Sequence, residues 1–311
     1  MAKIYTMGEI LMEIMRVEKD KPLDQADFFK GPFPSGAPAI FISTAAQLGN
    51  DTKIWGGVGK DKFGEALIRR LKNDGVDVSD VMVGEGSTAA AFVAYSGSGD
   101  REFIFHVNGT PASDAVFRET GNIPDFFHVM GCSLTINDSF KGEIEHACRY
   151  FHDKGAQISF DPNIRPTLLG NRNIMDIAGN VMNRCSVFLP GRDELLLFSE
   201  GRTGLHEAAA FLFEKFPKLE LIHIKLGRYG SQIITRKEKL VIPIYPIEKK
   251  YPIVDPTGAG DSFDAAFVSA IAGGKDLEYA GNLAAKAGAI NSIALGPMAG
   301  DIKGMISQNL I

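Results

Sequence analysis

The sequence predicts an α/β fold, in which a mostly parallel central sheet is flanked by helices and accompanied by a small β-sheet lid. Three observations predict this architecture. Short apolar segments of strand length alternate with amphipathic segments of helical length in the second half of the chain. The composition, 45% hydrophobic and 23% charged residues, is typical of a globular protein with a sizeable core. Two early segments interrupt the alternation and have the pattern of paired strands.

The first elements alternate between strand and helix. Lys3–Met7 is an apolar segment with the character of a buried strand. A helix of small residues is predicted over Ala39–Leu48 and ends at Gly49, because glycine readily adopts the left-handed conformation that closes a helix. Phe63–Asp74 is predicted as an amphipathic helix, since its apolar residues recur at the helical period.

The alternation is clearest from residue 126 onward. The predicted strands are Phe126–Met130, Gln157–Phe160, Val187–Leu189 and Leu221–Lys225, and the predicted helices between them are Phe140–Lys154, Ile174–Arg184 and Leu205–Phe216. Because helices join successive strands, the connections favour parallel pairing.

Two segments do not follow this alternation of strands and helices. Arg16–Pro34 contains three prolines and has little helical period. Thr88–Tyr95 and Glu102–Val107 have the pattern of two strands joined by a Ser-Gly-Ser-Gly-Asp turn, which is typical of a β-hairpin. We therefore expect residues 1–311 to form a single domain, with a lid subdomain built from about residues 16–34 and 88–107.

Charge, cysteine content and hydropathy exclude several classes of protein. The 33 Lys and Arg residues against 38 Asp and Glu give a net charge of −5, which disfavours a nucleic-acid partner. The cysteines, Cys132, Cys148 and Cys185, are too widely spaced for a disulfide framework or a CxxC zinc site. No apolar run reaches the ~18 residues of a membrane span, and the N-terminal segment lacks the pattern of a secretory signal. The sequence predicts a cytoplasmic protein without a membrane partner.

The strongest functional motif is Asp255–Asp261 (DPTGAGD). A Gly-Ala-Gly turn at the start of a helix leaves backbone N–H groups unpaired, so Gly258, Ala259 and Gly260 form a candidate anion hole. Asp261 does not suit anion binding, because its charge repels a phosphate. It suits a general base that takes a proton from a hydroxyl attacking phosphorus. The alternative is a glycine-rich loop with an aspartate that only caps the helix.

This motif resembles the C-terminal signature of the ribokinase/PfkB family of carbohydrate kinases. Further segments match that family in the same order along nearly the whole chain. They are Met7–Glu9 (MGE), Ser35–Ala39 (SGAPA), Gly57–Gly64 (GVGKDKFG), Phe160–Arg165 (FDPNIR), Lys225–Gly227 (KLG) with Gly230, and Gly296–Met298 (GPM). The resemblance implies a ribokinase-like layered fold with a β-sheet lid. It also implies a phosphotransferase with an alcohol group as acceptor, using ATP and Mg²⁺.

The resemblance also implies which residues bind the sugar. Asp261 matches the catalytic base. Glu13 stands where the family places an acidic residue that binds sugar hydroxyls, and Gly36 opens the loop that lets the sugar approach a helix N-terminus. Asn163 and Arg165 fall on the DPNxR motif, near substrate and phosphate.

The same resemblance implies which residues bind the nucleotide. Lys225, Gly227 and Gly230 match the strand and turn beside the nucleotide, together with Gly258 and Gly260 of the anion hole, and Asn282 is a match near the adenine.

The resemblance implies two kinds of metal site. Glu194 matches the Glu of the family's NxxE motif, which acts on Mg²⁺ through water, while Gly191 replaces the Asn of that motif. Asp255 and Thr257 stand where many members hold a monovalent cation such as K⁺. The alternative is that Asp255 only caps the turn that precedes the glycines.

One departure from the family pattern bears on the substrate. The family's sugar-binding loop commonly reads GGxxxN, and Ile40 takes the place of that Asn. An apolar side chain cannot donate or accept a hydrogen bond, so the sugar is either deoxygenated or differently oriented at this point. The segment 31–41 (GPFPSGAPAIF) resembles a bacterial subgroup that includes tagatose kinases, so a tagatose- or fructose-like ketohexose is the first candidate.

Other interpretations remain open. A 2-keto-3-deoxygluconate kinase shares the DPNIR and Gly8-Glu9 segments, and a non-catalytic sugar-binding regulator could use the same fold. A doubly wound dehydrogenase is disfavoured, because no GxGxxG turn follows the first predicted strand. The resemblance further implies a homodimer that pairs through its lids.

Overall fold

The computed structural model describes residues 1–97 and 101–308, with only the main chain at residues 166 and 167. Its strands are β1 Lys3–Met7, β2 Leu11–Arg16, β3 Phe29–Ser35, β4 Asp51–Gly59, β5 Val81–Gly84, β6 Ala90–Tyr95, β7 Arg101–His106, β8 Phe126–Met130, β9 Gln157–Asp161, β10 Val187–Phe188, β11 Leu221–Lys225, β12 Ser231–Thr235 and β13 Lys239–Ile242. Its helices are α1 Ala37–Gln47, α2 Lys62–Asp74, α3 Gly131–Leu134, α4 Asp138–Asp153, α5 Pro166–Leu169, α6 Ile174–Met182, α7 Arg192–Phe198, α8 Leu205–Lys215, α9 Ala259–Ala272, α10 Leu277–Ser292 and α11 Ile302–Ser307.

A large sheet forms the body of the protein and confirms the predicted α/β fold. Within the described ranges it has nine strands in the order β13-β12-β11-β10-β9-β8-β1-β4-β5. Pairing is parallel from β11 to β5, whereas β12 and β13 are antiparallel additions at one edge. All the strands predicted for this sheet are present. No helix of the described chain combines the length and apolarity that crossing a bilayer requires.

Two hydrophobic cores lie on opposite faces of this sheet. One core packs α4, α6, α7 and α8 around aromatic side chains such as Trp55 and Phe160. The other packs α1, α2, α9 and α10 and includes Phe41 and Phe267. Successive strand residues point to opposite faces, as Ile4 and Tyr5 of β1 do. The helices that were predicted from the helical period of apolar residues are present, and their ends differ from the predicted ends by up to two residues.

Strand β4 was not predicted, and its glycines explain why. Gly57 lies so close to a neighbouring loop that a Cβ atom there would stand 1.9 Å from the carbonyl oxygen of Pro111. Gly56 is similarly close to the carbonyl oxygen of Gly8, at 2.7 Å. Glycines weaken the apolar pattern by which a strand is recognised. The matched segment 57–64 therefore begins within strand β4.

A second sheet forms the lid, in the order β3-β2-β6-β7. The predicted hairpin is present as the antiparallel pair β6–β7, and residues 98–100 of its turn lie outside the described ranges. The lid begins at Leu11, not at Arg16 as predicted, because β2 pairs with β3 on one side and with β6 on the other. Strand β2 is almost entirely buried, which is why its sequence looks like a core strand.

Candidate active site

The candidate site lies where the lid faces the carboxyl ends of the parallel strands, the usual position of a ligand in an open α/β sheet. Three cavities meet there. The inner cavity, between lid and body, is lined by Glu13, Gly36 and Arg165 among others. The junction cavity, of about 160 Å³, is lined by Asn163, Glu194 and Lys225. The outer cavity, of about 540 Å³, lies beside the antiparallel edge. Asp261 lines both the inner and the junction cavity.

Glu13, on β2 of the lid, presents a free acceptor to the inner cavity. Its Oε2 accepts a hydrogen bond from the Ser35 hydroxyl at 2.8 Å. Its buried Oε1 has no hydrogen-bond partner among the described residues. Burial raises the pKa of Glu13 to about 7. Because buried polar atoms are almost always paired in proteins, the Oε1 atom fits a hydroxyl of a ligand.

Glu9 is a second buried carboxyl in the inner cavity, and it was not singled out in the sequence. Its side chain accepts hydrogen bonds from Ser133 and from Cys132, the latter at 3.4 Å. Burial raises the pKa of Glu9.

Gly36 lies against the Glu9 backbone with φ 105°, and a Cβ atom at Gly36 would stand 2.5 Å from the Glu9 carbonyl oxygen. Only glycine therefore fits at the start of α1, which leaves the helix N-terminus facing the cavity.

The turn before α9 supplies unpaired backbone N–H groups. Gly258 has φ 78°, and a Cβ atom there would stand 2.4 Å from the carbonyl oxygen of Pro297. Among the described hydrogen bonds, none is donated by the backbone N–H of Gly258, Gly260 or Asp261. Ala259 differs from the expectation, because its N–H donates to the Pro256 carbonyl oxygen at 3.2 Å. This hydrogen bond closes the turn, so the unpaired N–H groups are those of Gly258, Gly260 and Asp261.

Asp261 has the environment of a general base. Burial, and then the nearby Asp161 carboxylate, raises the pKa of Asp261 to about 7. Its Oδ1 accepts a hydrogen bond from the Asn163 amide at 3.1 Å. A base with a pKa near the working pH combines a useful ionised fraction with a strong tendency to take a proton.

A buried ion cluster holds Asn163 in place. The Asn163 backbone has φ 38°, and its N–H donates to Asp161 Oδ1 at 3.0 Å. The Lys225 ammonium bridges Asp161 at 2.8 Å and Asp264 at 2.6 Å. Although burial lowers the pKa of Lys225, these two carboxylates raise it more, so the ammonium remains charged. Neither Asp161 nor Asp264 was predicted as a site residue.

Glu194 positions the loop that carries Asn163 and Arg165. Its Oε1 accepts from the Ile164 N–H at 2.8 Å, and its Oε2 accepts from the Gly191 N–H at 2.7 Å. Burial, and then the Asp161 carboxylate, raises the pKa of Glu194. Two neighbouring carboxyls in a phosphate-sized cavity suit Mg²⁺, which takes few protein ligands and keeps water and phosphate as the rest. No set of three potential metal ligands among His, Cys, Asp and Glu occurs in residues 1–97 and 101–308.

The outer cavity contains the predicted glycine turn. Lys225, Gly227 and Gly230 line it together with apolar residues of the antiparallel edge and of α10. At Gly230, which has φ 84°, a Cβ atom would stand 2.2 Å from the Ile242 carbonyl oxygen. The structure does not bring Asn282 to this cavity. Its amide instead donates to the Glu278 carbonyl oxygen at 2.9 Å, within α10.

Asp255 and Thr257 stand directly before the anion-hole turn. The Asp255 Oδ1 atom accepts from the Thr257 N–H at 3.0 Å and from the Thr257 hydroxyl at 2.6 Å. Its Oδ2 atom accepts from the Gly296 N–H at 3.1 Å. These contacts are those of the capping alternative, although Oδ2 accepts only this one hydrogen bond among the described residues.

Two arginines that face the inner and junction cavities are without an ion-pair partner in the described part of the chain. Arg165 belongs to the matched DPNxR segment, and its guanidinium lies 5.3 Å from the Phe103 ring centre. Arg101 comes from the lid strand β7 and was not predicted. No local pattern distinguishes it, because only the pairing of β7 with β6 brings it to the cavity.

The inner cavity is small with the lid in this position. The volume of the inner cavity that water can occupy is about 50 Å³, which is room for only a few water molecules. A hexose has twelve heavy atoms and needs more space than this. A ligand of that size therefore does not fit within the inner cavity alone as it stands.

Comparisons with known proteins agree on one family. The model of the pfkB family carbohydrate kinases matches residues 1–300. The protein named probable fructokinase-3 of Arabidopsis thaliana is 30% identical over 281 residues, which covers 86% of this chain and 77% of that protein.

Solved structures resemble the whole chain. A provisionally named ribokinase II from E. coli, solved free and with ATP and Mg²⁺, is 33% identical, with a TM-score of 0.85 and coverage of 99% and 100% of the two chains. A fructokinase double mutant from Vibrio cholerae O395, with fructose, ADP and potassium ion bound, superposes with a TM-score of 0.81 over 97% of this chain and 95% of that chain. At 21% identity it shows the fold alone.

Replacing Glu13 with glutamine is expected to stabilise the protein in a pH-dependent way. A glutamate in an unfolded chain has a pKa of about 4.3, and folding raises the pKa of Glu13 to about 7. Its contribution to stability is therefore complete below pH 4 and is lost as the pH rises to 7. In urea unfolding, the free-energy difference between Glu13→Gln and wild type should grow by up to about 3 kcal/mol between pH 4.5 and pH 8.

The exposed Glu214→Gln, measured over the same pH range, serves as the control for the loss of a glutamate at the surface. A free-energy difference for Glu13→Gln that does not grow between pH 4.5 and pH 8 would contradict the buried, unpaired carboxyl.

Proposed function

Since the chain belongs to the pfkB family of carbohydrate kinases, we propose that it transfers the γ-phosphoryl group of ATP to a hydroxyl of a ketohexose, fructose- or tagatose-like, with Asp261 as the general base. The chain is a phosphotransferase that acts on a sugar hydroxyl. The observation that carries the finer proposal is the position of Asp261. It lies beside unpaired N–H groups of the α9 turn, between the cavity next to Glu13 and the junction cavity.

In the proposed reaction the protein mainly positions groups and neutralises charge. Asp261 takes the proton of the attacking hydroxyl, held in place by Asn163. The N–H groups of Gly258 and Gly260 bind the oxygens on which negative charge develops. Mg²⁺, with Glu194 acting through water, would neutralise the charge of the nucleotide phosphates. Asp161 would lie beside that ion. The nucleotide base would occupy the outer cavity.

The lid is proposed to close over the sugar. An open site would let water attack the γ-phosphate, and closure excludes that water. The small inner cavity supports a closed position of the lid in this structure. Phe103 on β7 then forms part of the cavity wall, and Glu13 on β2 supplies an acceptor to the sugar.

The preference for a ketohexose rests on Ile40 and on the fructokinase relatives. Ile40 is buried and lines the inner cavity, and its Cγ2 lies 3.2 Å from where a Cβ atom of Gly258 would be. It therefore presents a methyl group, rather than an amide, close to the reacting hydroxyl.

A sugar acid is a second candidate substrate, as for a 2-keto-3-deoxygluconate kinase. It is favoured by Arg101 and Arg165, which face the cavities without ion-pair partners among the described residues. Arginine binds carboxylates and phosphates through paired hydrogen bonds, so these two side chains suit a sugar carboxylate as well as a phosphate. A non-catalytic sugar-binding regulator is disfavoured, since a pure binder has no use for a base such as Asp261.

Asp261→Asn should lower kcat by ~10²–10⁴-fold, because it retains the shape of the side chain and removes the proton acceptor. In the wild type, kcat should rise with pH through about 7, as Asp261 loses its proton. Coupled ADP-release assays measure both. Asp276→Asn is the matched control, since Asp276 caps α10 at a distance from the cavities. A wild-type kcat in Asp261→Asn would remove this residue from the mechanism.

A substrate panel distinguishes the two candidate substrates. Ketohexoses, aldoses and keto-deoxy acids are compared by kcat/KM in wild type, Ile40→Asn and Arg101→Gln. For a ketohexose kinase, Ile40→Asn changes the ranking of neutral sugars more than it changes the KM for ATP. For a sugar-acid kinase, Arg101→Gln lowers the acid-to-neutral ratio of kcat/KM by about tenfold or more. A ranking that neither variant alters would contradict both assignments.

The lid-to-lid homodimer is also a proposal. Val17, Phe28 and Ile104 of the lid segments are exposed by 44%, 78% and 42%. Apolar lid surface of this kind is commonly covered by association. Light scattering at micromolar concentration should give twice the chain mass of 33.7 kDa, and Phe28→Asp should shift the protein towards the monomer. A wild-type monomer would contradict the proposal.

A further inference from the structure

The proposed reaction does not use the second buried carboxyl of the inner cavity, that of Glu9. Glu9, Leu11 and Glu13 all line this cavity. Residues two apart in an extended chain point to the same side, so these three side chains follow one wall of the cavity. An apolar side chain thus separates two carboxyls along that wall. Glu13 belongs to the lid strand β2, whereas Glu9 precedes that strand.

Contacts with the body of the protein hold Glu9 in place. Its side chain accepts hydrogen bonds from the Ser133 hydroxyl and from the Cys132 thiol, the latter at 3.4 Å. Both donors belong to α3, which directly follows strand β8 of the large sheet. The preceding residue, Gly8, donates its N–H to the Trp55 carbonyl oxygen of β4 at 3.0 Å. Glu9 is therefore fixed to the large sheet rather than to the lid.

The Oε1 atom of Glu9 is the oxygen on the cavity side. It accepts from Cys132, which lines the inner cavity, whereas Oε2 is bonded to Ser133, which does not. Burial raises the pKa of the Cys132 thiol, so the thiol keeps its proton. A thiol is nevertheless a weak donor. A hydroxyl that reaches Oε1 from the cavity therefore makes the stronger hydrogen bond.

The Glu9 carboxyl has capacity for a further donor. Burial raises the pKa of Glu9, while the Ser133 hydroxyl, the Glu9 N–H and the Cys132 thiol lower it. The Arg165 guanidinium also lowers this pKa, although it forms no ion pair with Glu9 in the described part of the chain. Three donors leave one of the about four lone-pair sites of a carboxylate open. Because a buried carboxyl that is incompletely paired costs stability, this open site fits a donor on a ligand.

We propose that Glu9 binds a hydroxyl of the sugar through Oε1, and that this hydroxyl is neither the reacting one nor the one bound by Glu13. The inference rests on the proposed function, and it makes Glu9 a residue that determines which sugars bind. Asp261 and Glu9 then accept hydrogen bonds from the sugar on the side of the body, and Glu13 accepts one on the side of the lid.

The attachment of Glu9 to the body predicts where its contribution appears in the kinetics. Glu9 contacts a hydroxyl that takes no part in bond making, so its hydrogen bond is the same in the ground state and in the transition state. Such an interaction lowers KM and leaves kcat nearly unchanged. Loss of Glu9 should therefore raise the KM for the sugar.

The first measurement needs no variant. The parent sugar is fructose or tagatose, whichever the wild type binds more tightly by calorimetry without nucleotide. Its hydroxyls are replaced one at a time, by hydrogen and by fluorine. Fluorine cannot donate a hydrogen bond, so both replacements abolish binding of that position to a carboxylate. At least two positions besides the reacting one should weaken binding by about tenfold or more with both replacements. Fewer than two such positions would overturn the proposal.

The second measurement assigns one of these positions to Glu9. Glu9→Met removes both carboxyl oxygens at nearly the same side-chain length. At the position that Glu9 binds, the ratio of the two Kd values, for the deoxy analogue and for the parent sugar, should fall from about tenfold or more to about one. Glu9→Gln retains an acceptor for Ser133 and should lower the same ratio, so it decides if Glu9→Met does not fold. A carboxyl that only anchors α3 would weaken all the sugars alike, and unchanged ratios would overturn the proposal.

Glu143→Met is the matched control. Glu143 is a half-buried carboxyl that accepts a hydrogen bond from the Phe117 N–H at 2.9 Å, and it lines none of the three cavities. Every ratio should stay at its wild-type value in this variant.

Coupled ADP-release assays with the same proteins separate this inference from the proposed function. The KM for the sugar should rise by about tenfold or more in Glu9→Met, with a smaller change in kcat. Phosphorylation with ratios that do not depend on Glu9 would overturn the role of Glu9 alone. Binding that depends on Glu9 without phosphorylation would overturn the proposed function alone. If neither fructose nor tagatose binds, both fail.

Discussion

The Lys225 ammonium, held between the Asp161 and Asp264 carboxylates, is the interaction on which the site depends. It joins strands β9 and β11 to helix α9 beneath the junction cavity. From Asp161 the contacts run to the Asn163 backbone and then to Asp261. Removing one partner of such a cluster leaves an uncompensated buried charge, which typically costs about 3–5 kcal/mol. The position of Asp261, the proposed base, is therefore maintained by ion pairs whose residues do not line the inner cavity.

This cluster also affects the pKa of Asp261, the proposed base. Burial first and then the Asp161 carboxylate raise the pKa of Asp261, whereas Arg165 and Lys225 lower it. The protein thus places a carboxyl at the start of a helix, where it would ordinarily be more acidic, and reverses that tendency by excluding water. Packing around α9 is accordingly part of the chemistry, and not only of stability.

The sequence predicts best those residues whose role is local. The turn before α9 was predicted because its glycines and Asp261 stand together in the chain. Arg101 was not predicted, because it reaches the cavities only when β7 pairs with β6, and nothing in its neighbouring residues indicates this position. Glu9 was missed for a related reason. It lies in an apolar stretch, and its partners Cys132 and Ser133 are more than 120 residues away.

The order of the lid strands has a consequence for how the protein acquires its site. Strands β2 and β3 precede α1, whereas β6 and β7 follow β5, and the parallel pair β2–β6 joins these two halves. Pairing strands so far apart in the chain is entropically costly until the intervening elements have folded. Folding of α1, β4, α2 and β5, which lie between the two halves in the chain, therefore lowers the entropic cost of pairing β2 with β6. Formation of the lid sheet is in this way coupled to folding of the body.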